Sequence, residues 1–134
     1  MTVDITRSWD TLVPAFEGAN AVVSLVGILH GSPQQFEKVQ LQGAENVARA
    51  AKEVGARLVH VSAIGAEESS KPTTLGSGLR YKELILVPPL GNLPYFRTKG
   101  LAEKAVFELV PKATVIRPSL IFGPGDGFFA VSRD

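Results

Sequence analysis

Hydrophobic positions along this chain follow two different spacings. Ala21-Val22-Val23-Ser24-Leu25-Val26-Gly27, Arg57-Leu58-Val59-His60-Val61-Ser62 and Ala113-Thr114-Val115-Ile116 are short runs rich in β-branched residues without apolar/polar alternation. Such runs predict strands buried on both faces. By contrast, Phe36, Val39, Gly43, Val47, Ala50, Ala51 and Val54 recur at helical spacing. That helix has a clear start at Ser32-Pro33-Gln34-Gln35, with serine at the cap, proline in the first turn and Gln35 placed to complete a capping box. Gly55 should end it. Helix formers around Ala102 predict another helix from near Tyr95 to Val110, stopped by Pro111. Thr2 to Ile5 reads as the tail of a strand. Ser8 can cap a short helix through Glu17, closed by Gly18, in which Pro14 requires either a kink or a start near Leu12.

Strands and helices alternating in this way predict an α/β fold: a Rossmann-type, doubly wound parallel sheet with helices on both faces. Ligands of such sheets sit at the carboxyl ends of strands. Asp4, Gly27, Ser62 and the segment after Ile116 are all predicted strand ends and should share one edge. Residues 68–94 break the alternation, with glycine, serine, threonine and proline turn signals and no sustained period. Gly76-Ser77-Gly78 has neither a strand before it nor a helix after it, so it is not read as a phosphate loop. The irregular composition of 71–93 is compatible with a retained intron or a gene-model error.

Composition narrows the classes. The chain has 134 residues, room for one domain at most. It is 45% hydrophobic and 20% charged with a net charge of +1, which gives no electrostatic case for nucleic acid or an anionic membrane. Cysteine is absent, excluding disulfides, thiolate metal sites and a cysteine nucleophile. The two histidines, His30 and His60, do not suggest a metal centre. The longest apolar run, Ala21 to Leu29, is too short for a transmembrane segment, and Met1-Thr2-Val3 does not open a targeting peptide.

Candidate chemistry centres on Tyr95 and Lys99, four apart on one helical face. An ammonium beside a phenol favours the phenolate, so Tyr95 could exchange a proton with a substrate oxygen below its usual pKa of about 10. The plainer alternative is a packed aromatic beside a solvated lysine. His60, inside a strand, reads as a hydrogen-bonded structural histidine.

Five motifs occur in order: Val-Asp-Ile-Thr at 3–6, Leu-Val-Gly at 25–27, His-Val-Ser-Ala-Ile-Gly at 60–65, Tyr-Phe-Arg-Thr-Lys-x-x-x-Glu at 95–103 and Arg-Pro-Ser-x-Ile-Phe-Gly-Pro at 117–124, followed by Asp126 and Phe128. Together they resemble the extended and atypical short-chain dehydrogenase/reductase superfamily. Within it, the pattern most resembles the NAD(P)-binding accessory subunits of mitochondrial respiratory complex I and their bacterial relatives. The resemblance implies that Asp4 and Ile5 lie against an adenine ring and that Val26 and Gly27 line the cofactor. It places Ser62, Ala63, Tyr95 and Lys99 in the active-site strand and helix, and Pro118, Ser119 and Leu120 beside the nicotinamide. In catalytic members the tyrosine, the lysine and a serine or threonine hydroxyl carry the reaction, here Tyr95, Lys99 and Ser62.

Three departures qualify that transfer. The glycine-rich turn of the family does not occur; its expected place is before Met1, with the first strand, the first helix and the residue that selects NAD or NADP. The hydroxyl of extended members corresponds to position 64, which is Ile64 here. The 33 positions between Ser62 and Tyr95 exceed the expected spacing. The resemblance therefore implies a partial NAD(P)-binding Rossmann domain over 1–134, with an irregular insertion at about 68–94. Its leading function is a non-catalytic accessory subunit on the matrix side of the inner mitochondrial membrane. NADP is favoured over NAD, and the implied partners are other complex I subunits. A catalytic reductase, epimerase or dehydratase using Tyr95 and Lys99 is the second reading. A redox-sensing regulator ranks third, and a fragment without independent function is the bland alternative.

Overall fold

The computed structural model describes residues 1–66, 93–119 and 121. Leu120, Asp126, Phe128 and nearly all of the irregular stretch 68–94 lie outside the described residues; its last two positions, 93 and 94, open a helix.

The capped helix at Ser32 forms as expected. Ser32 Oγ accepts from the Gln35 amide at 3.2 Å while Gln35 Oε1 accepts from the Ser32 amide at 2.8 Å, a complete capping box. Helix α2 (Pro33–Phe36) continues through a π-helical segment (Glu37–Gln42) into α3 (Gly43–Glu53), and Gly55 ends the run at φ +70°. The wide π turn takes up an extra residue and so changes which side chains face inward. Gln40 is fully buried, whereas Val39, assigned to the apolar stripe by spacing, is only half-buried. Beyond the π segment, Ala44, Val47, Ala48, Ala50 and Ala51 are buried. Small side chains there let the sheet and a second helix approach closely.

Strands β1 (Ala21–Ser24), β2 (Arg57–Val61) and β3 (Thr114–Ile116) pair in parallel in that order. Val22 is level with Leu58, and His60 is level with both Ser24 and Val115. Helix α4 (Leu93–Leu109) precedes β3 and packs on α3. Val22, Leu58 and Val115 join Leu12, Ala48, Ala102 and Val106 in one core.

Several expectations need correction. The strands are not covered on both faces by the described helices. Val23 and Ile116, on the opposite face from Val22 and Val115, are 59% and 46% exposed. Parallel strands added in one direction through right-handed crossovers place successive helices on one side, and only a reversal of strand order covers the other. The run 21–27 pairs only as far as Ser24. Thr2 to Ile5 forms no strand, because Asp4 accepts from the Thr6 amide and hydroxyl and turns the backbone. The segment after Ser8 is a 3-10 turn (Trp9–Leu12) followed by α1 (Val13–Phe16), with Pro14 in the first turn of α1, so the later start holds. Ser8 contributes its carbonyl rather than its side chain, accepting from the Thr11 amide and hydroxyl.

Candidate functional site

Helix α4 delivers Lys99 into the interior, where it is 4% exposed. Its ammonium donates to the carbonyls of Val26 at 3.4 Å and Val61 at 3.2 Å, bridging the segment that leaves β1 and the last residue of β2. Burial pushes the Lys99 pKa down, and the nearby Glu103 carboxylate opposes this. Gly27 makes the approach possible, since a Cβ there would sit 3.1 Å from Lys99 Nζ and 3.4 Å from Gln40 Oε1.

Gln40 ties the π segment to the same helix. Its Nε2 donates to Thr98 Oγ1 at 3.0 Å, and that hydroxyl donates back to the Pro94 carbonyl at 2.6 Å. Gln40 Oε1 and Ser62 Oγ are buried without a hydrogen-bond partner among the described residues. Such atoms call for an ordered water or a ligand.

Tyr95 contradicts the expected electrostatics. Its ring meets Phe36 edge-on at 6.2 Å and Phe96 at 5.0 Å, and burial pushes the phenol pKa up rather than down. The Lys99 charge is directed to two backbone carbonyls instead of the phenol. His60 also departs from expectation. It is 2% exposed, neither ring nitrogen has a partner among the described residues, and its pKa is lowered to about 4. Desolvation is the main cause, reinforced by Lys99 and opposed by Glu103.

The end of β3 lies beside this cluster. Ser62 donates its amide to the Ile116 carbonyl at 2.8 Å, and Ile64 donates to the Pro118 carbonyl at 3.0 Å. Arg117 holds buried Glu103 through its Nε and Nη2, with Nε 2.9 Å from Oε1. Pro118 and Ala63 are half-buried and Ser119 is exposed. Val26, Gly27, Ser62, Lys99 and Pro118 therefore occur together at the strands' carboxyl ends. Asp4 is exposed; the Thr6 amide and then its hydroxyl hold its carboxyl below the usual range. Its turn reaches the others through the long helical run, where Asn46 Nδ2 donates to the carbonyls of Ile5 and Arg7.

Gly43 gives Ile5 its seat, because a Cβ there would lie 2.6 Å from Ile5 Cδ1. Gly43→Ala is expected to leave stability within about 1 kcal/mol of the parent, the gain in helix propensity offsetting the disturbed contact. It should displace the Ile5 side chain. Loss of NOEs between the Ile5 methyls and α3 is the check, and unchanged NOEs would refute it.

Sequence reasoning gave no role to Gln40, nor to Thr98 and Arg117, although the last two lie inside quoted motifs. Gln40 lies four residues after Phe36, a helical spacing that could have raised it, but the apolar stripe pointed to Val39. Among the described residues there is no group of three His, Cys, Asp or Glu positioned for a metal, and no helix long and apolar enough to cross a membrane.

The family described as the RmlD substrate binding domain matches residues 30–132, more than half of the chain. The chain belongs to that family. It is of the NAD(P)-binding, short-chain-dehydrogenase type. Ceramide reductase of Caulobacter vibrioides is 31% identical over 111 residues, covering 82% of this chain and 28% of the relative. NADH dehydrogenase [ubiquinone] 1 alpha subcomplex subunit 9, mitochondrial, of Mus musculus is 31% identical over 124 residues, covering 91% and 27%. The chain thus spans little more than a quarter of the length of these relatives. Among solved structures, a dTDP-4-dehydrorhamnose reductase from Clostridium acetobutylicum is similar with TM-score 0.68 and 25% identity, over 96% of this chain and 45% of that one. The Bacillus anthracis dTDP-4-dehydrorhamnose reductase in complex with NADP has TM-score 0.70 at 19% identity, over 97% and 46%, and supports the fold. The incomplete Rossmann-type sheet expected from the sequence is therefore the fold of this chain.

Proposed function

We propose that this chain is part of a non-catalytic NAD(P)-binding accessory subunit of the mitochondrial NADH:ubiquinone oxidoreductase, holding NADP(H) as a structural element. Residues 1–134 would supply part of the nucleotide-binding domain. The observation that carries the non-catalytic side is the state of Tyr95 and Lys99: the phenol is raised in pKa by burial, and the ammonium is committed to backbone carbonyls. Ile64 adds to it by offering no hydroxyl. The similarity to the mouse mitochondrial subunit supports the partner and a mitochondrial location.

In this reading Asp4 and Ile5 face the adenine end, while Val26 and Gly27 line the middle of the nucleotide. Lys99 holds the nicotinamide ribose, Ser62, Ala63 and Tyr95 lie beside it, and Pro118, Ser119 and Leu120 flank the nicotinamide. One feature fits a bound nucleotide: the buried Gln40 and Ser62 oxygens have no partner among the described residues. The nicotinamide would supply hydride chemistry when bound; the chain's residues bind and orient it. Among the described residues no glycine-rich strand–turn–helix offers amides to the pyrophosphate, which lowers the affinity expected of this chain alone.

The second reading is a catalytic NAD(P)-dependent reductase, epimerase or dehydratase. It is favoured by Tyr95 and Lys99 on one helix and by the similarity to a ceramide reductase. Purified protein should enhance NADPH fluorescence without oxidising it in the presence of carbonyl substrates, and should co-migrate with complex I on a native gel. NADPH oxidation abolished by Tyr95→Phe would decide for the enzyme. Absence of any NADPH binding would remove both readings for this chain.

A further inference from the structure

Glu103 is a charged group that the proposed site does not use. It lies one helical turn beyond Lys99 on α4 and is only 5% exposed. Arg117 Nε lies 2.9 Å from Oε1 and 3.0 Å from Oε2, and Nη2 also donates to Oε2. Arg117 directly precedes Pro118 and Ser119, and the Pro118 carbonyl takes the Ile64 amide. One ion pair thus joins the helix that carries Lys99 to the segment leaving β3, and through it to the segment leaving β2.

We propose that the Glu103–Arg117 pair is a positioning brace: it sets the distance between Lys99 and the Pro118–Ser119 segment, and with it the width of the cleft that admits a nicotinamide nucleotide. This deepens the proposed nucleotide-binding function and rests on it. The argument is geometric. A guanidinium that engages both carboxylate oxygens is planar and directional, so it determines orientation as well as proximity, which a lysine at the same position cannot do. As a source of stability the pair is an inefficient choice, because desolvating a carboxylate offsets much of the attraction, and apolar replacements of similar volume often serve as well. Orientation is what the apolar replacement lacks. The Glu103 carboxylate also acts on Lys99 and His60, opposing the loss of their charge.

The test uses the full chain with NADPH as the probe and compares wild type, Arg117→Lys and the double variant Glu103→Met/Arg117→Met. Removing both charges avoids leaving a buried carboxylate alone, so the double variant should fold with a wild-type melting temperature. A displaced Pro118–Ser119 segment would weaken the contacts made there, and a tenfold loss of affinity corresponds to about 1.4 kcal/mol. Both variants are expected to bind NADPH about tenfold more weakly. The Ile64 amide should exchange its hydrogen faster in both. Wild-type affinity and wild-type Ile64 exchange in the double variant would show that the pair is only structural and overturn the inference. Should wild-type protein bind no NADPH, the nucleotide-binding reading fails, and the inference about cleft width with it. The Ile64 exchange would still report whether the pair braces the segment.

Discussion

Acidification from pH 7 to pH 4 should cost the fold about 3 kcal/mol through His60 alone. The unfolded histidine has its ordinary pKa of 6.5, while the folded one is lowered to about 4. Above pH 6.5 the ring is neutral in both states and carries no penalty. Between pH 6.5 and about 4 the unfolded chain takes up a proton that the folded protein does not, so stability falls as pH falls. Below about 4 both states are protonated and the loss levels off. The charged groups facing the ring act in opposite senses, Lys99 against protonation and Glu103 for it, with desolvation the larger effect. Urea denaturation at a series of pH values should show this slope in the parent and a flatter one in His60→Leu. Equal slopes would mean that His60 is protonated, or hydrogen-bonded, in the folded protein.

The second large effect is expected at Phe36. Its side chain is fully buried, between the π segment and α4, and its ring forms the edge-on contact with Tyr95. Phe36→Ala should destabilise the protein by about 3–5 kcal/mol, the range for truncating a buried phenylalanine. That is a large part of the ~5–15 kcal/mol typical of a whole domain. Phe36→Leu should lose less, because it keeps most of the volume. A second consequence follows at Tyr95. With the ring gone, water reaches the phenol and its raised pKa should return towards 10. Spectrophotometric titration of Phe36→Ala, with Tyr95→Phe to separate it from Tyr81, measures the change. An unaltered Tyr95 titration would show that Phe36 does not shield it.

How far these features could be read in advance depends on the range of the interactions involved. The capping box at Ser32 is made by atoms three residues apart, and it formed as the local sequence predicts. The strand at Arg57 and the helix around Ala102 follow from runs of suitable residues. The π segment was not legible: its wide turn moves Gln40 inward against the apolar spacing, where it bonds to Thr98, 58 positions away. The uncovered face at Val23 and Ile116 was missed because an apolar run looks the same whether one or both sides are packed. Among the site residues, Gly27, Ser62 and the segment after Ile116 were expected to meet because a parallel sheet brings strand ends to one edge; Asp4, expected with them, sits in a turn instead. The charge states were not anticipated, because they depend on burial and on partners distant in sequence.

The amino-acid sequence by itself determined the order and type of the central elements, because capping, turn formation and hydrophobic spacing act over a few residues. Only the tertiary structure decided what those elements do to the ionisable groups. It committed the Lys99 ammonium to carbonyls 73 and 38 positions away, left His60 desolvated and placed Arg117 on Glu103. Solvation and Coulomb interactions depend on distance in space, and for residues this far apart only the folded chain sets that distance.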